Sequence, residues 1–308
     1  MLFRSIENVP GILSSRVDGE FIFGKILDDL RNPTVAAFGK ADIHATYRLY
    51  NLSPSKNEEL FKNDRSESFV VSSDDFGVPQ RRRRVLVVGV RSDLDRAPDK
   101  LTKARRITTV QDVIGDLPKI RSKLSKEPDS WGGWCSALRE IQRMRWMTTR
   151  KVSELAPVVH LIRTTLVDRR MPLETAVAYE NWQRKPSSFR DSRLEGWYKP
   201  DQTTLSSHQS RSHMRTDLHR YLFASAYTKI FGRSPTLRDF PEELRPNHVN
   251  VSEAVSNGMF GDRFRVQRCD APATTITSHI AKDGHYFIHY DPAQCRSLTV
   301  REAARIQT

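Results

Sequence analysis

The spacing of apolar residues predicts a strand-rich start to the chain. Short β-branched runs at residues 69–71 and 85–90 predict buried strands, and residues 6–9 predict the end of another strand. Residues 20–30 carry apolar side chains at helical spacing and stop before an Asn-Pro pair, which predicts a helix. Residues 39–66 are polar and weakly patterned, which predicts a loop-rich insertion. This order of elements indicates an α/β arrangement.

Helical patterns follow from residue 93 onward. Residues 108–117 predict a short helix capped by its first or second residue, both of which are threonines. Residues 217–231 predict a longer helix that ends at Gly232. Residues 136–150 predict a basic amphipathic helix. Its predicted apolar face comprises Leu138, Ile141, Met144, Trp146 and Met147, and its basic face comprises Arg139, Arg143 and Arg145.

The last part of the chain predicts a hairpin followed by a helix. Residues 274–279 and 286–289 flank Lys282-Asp283-Gly284, which predicts a β-hairpin with an Asp-Gly turn. Thr299 is followed three residues later by Glu302, which predicts the capping box of a final helix.

Composition bounds the class of partner. With 308 residues, 38% of them hydrophobic, the chain can form one large or two modest domains. A formal net charge of +13 predicts a polyanionic partner. Three cysteines and no signal peptide favour a reducing cytoplasm, and no apolar run is long enough to predict a membrane span. The spacing of His279, His285 and His289 matches no zinc pattern, so we expect no metal.

A basic run precedes the strand predicted at residues 85–90. Because side chains alternate across a strand, Gln80, Arg82 and Arg84 are expected on one face and Arg81 on the other. Three long hydrogen-bonding side chains at the mouth of a buried strand suit contacts to a base and its phosphates. A solvated or localisation-type basic run is the alternative interpretation.

Three segments in order resemble motifs of the DNA cytosine-5 methyltransferase family. They are Glu7-Asn8-Val9, Gln80-Arg81-Arg82-Arg83-Arg84, and Arg296-Ser297-Leu298-Thr299-Val300-Arg301-Glu302-Ala303-Ala304-Arg305-Ile306-Gln307. Residues 211–308 also resemble one bacterial branch of that family, so the resemblance covers nearly the whole chain.

The resemblance implies a fold and a division of the chain. It implies an α/β fold with part of a methyltransferase-type, Rossmann-like doubly wound sheet and an inserted, mainly helical target recognition domain. Residues 1–92 would form the second half of the catalytic domain, and residues 93–270 the recognition domain. Residues 271–308 would form a hairpin and hinge helix that return to the catalytic domain.

The resemblance also implies roles for residues. In this family a thiolate adds to C6 of cytosine, which makes C5 able to attack a sulfonium methyl group. Glu7 would contact N3 and Arg84 would contact O2, where charge builds up. Arg82 would support the nucleophile loop or bind a phosphate, and Asn8 would hold the local backbone. The alternative for Glu7 is an exposed carboxylate near a frayed terminus.

DNA contacts are expected from four further side chains. Gln80, Arg296, Thr299 and Arg305 match positions of the family motifs, and Arg296 and Arg305 are predicted to be free for a phosphate or to brace the recognition domain. A purely structural capping role is the competing interpretation for Thr299 and Glu302. Double-stranded DNA is the expected partner.

Two expected features have no counterpart in the sequence. The family binds S-adenosylmethionine with a Gly-rich turn and attacks with a Pro-Cys cysteine, but none of Cys135, Cys269 and Cys295 follows a proline. We therefore expect part of a methyltransferase, cut at both ends, from a restriction-modification setting, with no cofactor-binding residues of its own. The alternative is a non-enzymatic recognition subunit, which would work with a separate subunit that carries the missing motifs, or an inert gene remnant.

Overall fold

The chain forms two compact units, Met1–Ile107 and Thr108–Thr308. The computed structural model describes residues 2–40, 46–53, 69–148, 154–167, 172–177, 204–247, 261–282 and 284–307. The predicted functional division at residues 92 and 270 stays a prediction. None of the helices within the described residues combines the length and the apolar character needed to cross a bilayer.

The first unit is built from short strands and two helices. Its elements are, in chain order, β1 (Phe3–Asn8), β2 (Arg16–Val17), β3 (Glu20–Phe21), α1 (Ile22–Arg31), α2 (Pro33–Phe38), β4 (Tyr47–Tyr50), β5 (Val70–Ser72), β6 (Gln80–Arg81) and β7 (Arg83–Arg91). Single 3-10 turns lie at Pro10–Leu13 and Ser73–Phe76.

Strand β7 is the centre of a four-stranded sheet. β1, β4 and β5 all pair with it in the antiparallel sense. Val90 pairs with residues of both β1 and β4, and Val85 with residues of both β1 and β5, so β1 occupies one edge of β7 and the other two strands share the opposite edge. The mixed α/β class is confirmed. A doubly wound sheet stays a prediction, because the described strands of this sheet are joined by antiparallel pairings.

One face of β7 packs against α1. Val85 and Val87 are buried on this face, together with Phe23 and Leu27 of α1. Phe69 meets Phe23 edge to face, with 5.7 Å between ring centroids. The predicted helix and strands of this unit are confirmed, since apolar residues at the two expected periods form one core.

The segment predicted to be loop-rich contains a strand. Within residues 39–66, Tyr47 and Leu49 of β4 are buried, and Arg48 between them is exposed. This alternation is only four residues long, too short to stand out in a polar sequence. Residues 41–45 and 54–68 lie outside the described residues.

The second unit is mainly helical. Its elements are α3 (Val110–Ile114), β8 (Lys123–Leu124), α4 (Trp131–Arg139), α5 (Arg145–Thr148), α6 (Ala156–Val167), β9 (Ser212–His213), α7 (Arg215–Phe231), β10 (Ala273–Thr274) and α8 (Val300–Gln307). Short 3-10 helices lie at Glu140–Arg143, Glu242–Leu244, Ser278–Ala281 and His285–Phe287. β8 and β9 form a short parallel pair.

Helix α7 is the core of this unit. It is buried from Leu218 to Thr228 except at Arg220, and it packs against α4 and α6. The predicted end is confirmed: Gly232 adopts a left-handed φ of 68°, which costs glycine no steric strain. The predicted cap of α3 is also confirmed, because Asp112 N donates to Thr109 Oγ1.

The prediction of one continuous helix over residues 136–150 is wrong. The chain forms α4, then a 3-10 helix, and then α5, with an extended backbone at Met144. The break allows Trp146 and Met147 to enter the core. The Glu243 carboxylate accepts hydrogen bonds from the backbone N–H groups of Arg145 and Trp146 and so caps α5.

The hairpin predicted across residues 274–289 is also wrong. The segment forms two 3-10 helices, and Asp283 of the predicted turn lies outside the described residues. Ile288 bridges to Val266 and to Ser297 instead. A side chain at Gly284 would come within 2.6 Å of Ser297 Cβ, so this close approach requires a glycine.

Candidate functional site

Three predicted site residues come together in the first unit. Glu7 lies opposite Leu86 in the register of β1 and β7, and Arg84 precedes Leu86 by two residues. Opposed residues, and residues two apart on a strand, point to the same face, so Glu7 and Arg84 are diagonal neighbours. Arg84 Nε donates to Glu7 Oε1 at 3.1 Å, and Arg82 Nη2 lies 3.5 Å from the same oxygen. We call these three residues the Glu7 cluster.

The Glu7 cluster is open to solvent. The side chains of Glu7, Arg82 and Arg84 are 55%, 42% and 19% exposed. Exposed ion pairs contribute about 0–1 kcal/mol to folding, because water screens the charges. The cluster therefore adds little to the stability of the sheet, and its carboxylate is accessible to a ligand.

The arginine run is not one continuous strand. β6 ends at Arg81 and β7 begins at Arg83. At the break, Arg82 N donates both to Gln80 O and to Ser73 Oγ, each at 3.0 Å. Ser73 N in turn donates to Arg82 O at 3.0 Å. Ser73 thus holds the irregular backbone at Arg82 in place.

Despite this break, Arg82 and Arg84 lie on one face of the chain and Arg81 on the other, as the alternation of side chains along a strand predicted. Arg82 and Arg84 both approach Glu7, whereas Arg81 Nε donates to Asp74 Oδ2 at 3.1 Å. Arg81 is 61% exposed and pairs within its own turn. Arg81 is therefore a natural control for Arg84.

The two remaining predicted residues of this unit have different environments. Asn8 Oδ1 accepts a hydrogen bond from Val9 N at 2.8 Å, which is the local backbone contact expected of it. Gln80 is buried, with 2% of its surface exposed. A DNA contact by Gln80 stays a prediction.

The last motif is organised around a buried ion pair. Arg296 Nη1 and Nη2 each donate to one oxygen of Glu302, both at 2.7 Å, and both side chains are 1% exposed. Arg296 also donates to Gln294 Oε1 at 2.7 Å and to Ile120 O at 3.1 Å. Of the two roles predicted for Arg296, binding a phosphate is wrong because its donors are used inside the unit, and these contacts support a bracing role.

Thr299 has the structural role that was the competing interpretation. Glu302 N donates to Thr299 Oγ1 at 3.1 Å, and Thr299 N donates to Glu302 Oε2 at 2.8 Å, so the predicted capping box is confirmed. Thr299 Oγ1 is also 3.2 Å from His208 Nδ1, and His208 Nε2 is 2.8 Å from Pro118 O. Thr299 is 1% exposed, which removes it from direct contact with DNA in this conformation.

The Arg305 side chain is also bound within the unit, so it is not free to bind a phosphate. Its Nη1 donates to Asp116 Oδ1 at 2.6 Å and to Val113 O at 3.1 Å, and the side chain is 11% exposed. It therefore ties α8 to the end of α3. Of its two predicted roles, bracing within the unit is the one that these contacts support.

Burial changes the acid–base behaviour of this network. Burial lowers the pKa of His289 to about 3, with a further lowering by Arg296. Burial raises the pKa of Glu302, but the Arg296 guanidinium outweighs it and holds that pKa well below its ordinary value. Glu302 is therefore charged and His289 is neutral at pH 7.

Sequence patterns did not identify His208, Gln294 and Asp116 as members of this network. His208 lies 91 residues before Thr299, and Asp116 lies 189 residues before Arg305. No spacing rule links residues so far apart, and only the fold brings them together.

The three cysteines of the chain differ in their exposure. Cys135 and Cys295 are buried, and Cys269 is exposed. All three belong to the second unit, whereas the Glu7 cluster belongs to the first. Among the described residues, no group of three or more His, Cys, Asp or Glu side chains is arranged to hold a metal.

Comparison with known proteins connects these features to one family. A family model described as C-5 cytosine-specific DNA methylase matches residues 65–308. The type II methyltransferase M.Bpa9945I of Bacillus paralicheniformis is 30% identical over 306 residues, which cover 98% of this chain and 51% of that protein.

Two further relatives are also named as type II methyltransferases. M.MthTI of Methanothermobacter thermautotrophicus is 40% identical over 57 residues, 18% of this chain and 17% of the relative. A putative type II methyltransferase of Oceanobacillus iheyensis is 21% identical over 264 residues, 78% of this chain and 53% of the relative. The chain thus spans about half the length of the two relatives that it matches along most of its own length.

Proposed function

The chain belongs to the C-5 cytosine-specific DNA methylase family, and on that premise we propose that it supplies the base-contacting part of a DNA cytosine-5 methyltransferase. The reaction is methyl transfer from S-adenosylmethionine to C5 of cytosine in duplex DNA, in a restriction-modification system. The names of the type II methyltransferase relatives support this setting.

One observation carries the proposal. Glu7 and Arg84 are 77 residues apart in sequence, yet their side chains meet at 3.1 Å on an exposed face. A carboxyl group and a guanidinium side by side match N3 and O2 of cytosine, which are adjacent on one edge of the ring. Both groups stabilise the charge that develops on the ring when a nucleophile adds to C6.

The remaining residues of the cluster fit supporting roles. Arg82 Nη2 is 3.5 Å from the Glu7 carboxylate and is 42% exposed, so it is placed to bind a phosphate or to orient the carboxylate. A cytosine can reach such a cluster only after leaving the double helix. Duplex DNA is therefore the proposed substrate, and an extrahelical cytosine is the form that binds.

The turn after β1 does not have the features of a Gly-rich turn for S-adenosylmethionine. The turn after β1 is a 3-10 helix that begins at Pro10, whose ring nitrogen lacks a donor, and contains the single glycine Gly11. This turn cannot offer the run of backbone N–H groups of a Gly-rich loop. Cys135 and Cys295 are buried, and none of the three cysteines follows a proline. We therefore propose that another part of the enzyme supplies the nucleophile and the methyl donor.

A complementation experiment tests the proposal. Residues 1–308 would be mixed with the part of M.Bpa9945I that this chain does not match, and tritiated S-adenosylmethionine would be supplied with mixed-sequence duplex DNA. We expect label at C5 of cytosine in the mixture and none with residues 1–308 alone. Label with residues 1–308 alone would contradict the absence of a nucleophile, and an active mixture that tolerates Glu7→Ala would contradict the role of Glu7.

DNA binding is tested separately from the chemistry. With a net charge of +13, we expect the affinity for duplex DNA to fall steeply between low and physiological salt. Binding that does not respond to salt would exclude phosphate contacts as the main source of affinity.

A further inference from the structure

Two adjoining cavities in the second unit have no part in the proposed reaction. They have volumes of about 380 Å³ and 160 Å³, and both are lined by Lys119, Tyr290 and Asp291. The smaller one also reaches the buried side chains of His289 and Glu302. We call the two together the Tyr290 pocket. The larger cavity has the size that sites for small molecules usually have.

The rim of the Tyr290 pocket has more positive than negative side chains. Lys119 Nζ lies 2.9 Å from Asp291 Oδ2, and Arg268 Nη2 lies 2.7 Å from Asp270 Oδ2. Lys229 also lines the rim, and it has no ion pair or hydrogen bond with any described residue. The three cations and two carboxylates therefore leave one positive charge for an anionic ligand.

Tyr290 supplies an aromatic wall. One face of its ring stacks on His289, with 4.3 Å between the centroids and 27° between the planes. Its hydroxyl forms no hydrogen bond within the described part of the chain. A half-buried aromatic ring beside cations is a surface on which a planar base can stack.

The smaller cavity is lined by His289, whose ring has one nitrogen within hydrogen-bond distance of a partner and one beyond it. His289 Nδ1 accepts a hydrogen bond from Asp291 N at 3.0 Å, which assigns the ring proton to Nε2. That Nε2 lies 3.6 Å from Glu302 Oε1, beyond ordinary hydrogen-bond distance. His289 is 3% exposed, so a donor lies at the deep end of the pocket for an acceptor atom of a ligand.

We propose that the Tyr290 pocket binds a single nucleotide, with its base against Tyr290 and its phosphate among Lys119, Lys229 and Arg268. The carboxylates of Asp270 and Asp291 can accept hydrogen bonds from the amino groups of the base. The nucleotide is either a free nucleoside monophosphate or one unit of a DNA strand, since both present the same chemistry. The pocket and the Glu7 cluster share no residue, and binding to the pocket does not require methyl transfer.

Calorimetry on the full 308-residue chain tests this inference. The probes are deoxycytidine monophosphate, deoxyadenosine monophosphate, deoxycytidine and orthophosphate. We expect at least one monophosphate to bind at least about tenfold more tightly than deoxycytidine or orthophosphate, because each of those fills only part of the pocket. Lys229→Ala and Tyr290→Leu should each weaken nucleotide binding by about tenfold. Lys282→Ala is the matched control, since Lys282 is exposed and is not part of the pocket lining.

Competition with a short duplex then separates the two sources. Displacement of the nucleotide by the duplex in wild type, but not in Lys229→Ala, supports a unit of DNA as the natural occupant. Retention of the nucleotide supports a free monophosphate. The proposal is overturned if no monophosphate binds at millimolar concentration, if orthophosphate binds as tightly as the nucleotides, or if Lys229→Ala and Lys282→Ala behave alike. None of these results bears on methylation, so the proposed function is tested independently.

Discussion

Each unit of the molecule contains a glutamate–arginine pair, and the two pairs differ in their surroundings. Glu7 and Arg84 share one hydrogen bond of 3.1 Å and are 55% and 19% exposed. Glu302 and Arg296 share two hydrogen bonds of 2.7 Å and are both 1% exposed. Both pairs belong to segments that resemble family motifs, and the sequence predicted a base contact for Glu7 and Arg84 and a capping role for Glu302.

The surroundings give the two pairs opposite roles. Water screens the Glu7 pair, so its charges stay available and contribute little to folding. The Arg296 pair is desolvated, and each partner depends on the other because an unpaired buried charge is costly. A motif residue can therefore have a catalytic role or a structural role, and the burial of its side chain decides between them. Four measurements sharpen this contrast.

Arg296→Ala should have the largest effect. It leaves Glu302 buried without its partner, so we expect the free energy of unfolding to fall by on the order of 3–5 kcal/mol. Chemical denaturation followed by tryptophan fluorescence reports on the second unit, because every tryptophan lies between residues 131 and 197. Arg301→Ala is the control, since Arg301 donates to Ser206 at an exposed site.

The double variant Arg296→Met/Glu302→Leu separates charge from packing. It removes both buried charges, so we expect it to be less destabilised than Arg296→Ala. Equal unfolding free energies for Arg296→Ala and Arg301→Ala would show that the buried pair is not structural.

Arg84→Ala should have the next largest effect, and we expect this effect on the rate of methyl transfer and not on the stability of the fold. In the complemented enzyme, loss of a charge-assisted contact to the developing ring charge should raise the barrier by about 2–4 kcal/mol. Arg81→Ala should change it by about 0.5 kcal/mol or less, because Arg81 pairs with Asp74 at the surface. Single-turnover methylation rates measure both. Equal losses would show that the assigned faces of this strand are wrong.

The stability of the second unit should depend on pH. The pKa values of His208 and His219 are lowered mainly by burial, and burial lowers those of His213 and His289 to about 3. Below the ordinary value of 6.5 the unfolded chain binds protons that the folded unit does not, so stability is complete above that pH and falls as the pH drops toward 3. Each such histidine contributes a slope of up to about 1.4 kcal/mol per pH unit.

Denaturation between pH 7 and pH 5 isolates the histidines, because the pKa of Glu302 is ordinarily 4.5 and is lowered further in the folded unit. His289→Gln should flatten the slope in this range. Stability that rises on acidification would refute the neutral state assigned to these histidines.

Glu7→Gln should have the smallest effect on folding. Its ion pair is exposed, so we expect a change of about 1 kcal/mol or less in the stability of the sheet. Hydrogen exchange at the amides of β7 measures this change locally. Glu20→Gln is the matched control, because Glu20 pairs with the exposed Lys25. A much larger loss for Glu7→Gln would make this pair structural, like its counterpart in the second unit.

Local patterns were sufficient for the elements whose signals are short in range. The helices α1, α7 and α8 follow from apolar spacing and from capping residues such as Thr299 and Gly232. The basic run followed by an apolar run also placed Arg82 and Arg84 on the side of the sheet that meets Glu7. Each of these predictions depends on neighbours a few residues apart, where the backbone geometry is known in advance.

By itself, then, the sequence determined the family, the mixed α/β class, the approximate limits of α1 and α7, the start of α8 and the identity of the motif residues. Only the tertiary structure decided that Arg296 forms an ion pair with Glu302 and Arg305 one with Asp116. It also decided that the helix predicted over residues 136–150 breaks after α4 and that the expected hairpin does not form. The physical reason is that burial and long-range partners set the free energy of a charge or a turn. Neither is encoded in local spacing, so residues of equal standing in a motif acquire different roles only once the chain has folded.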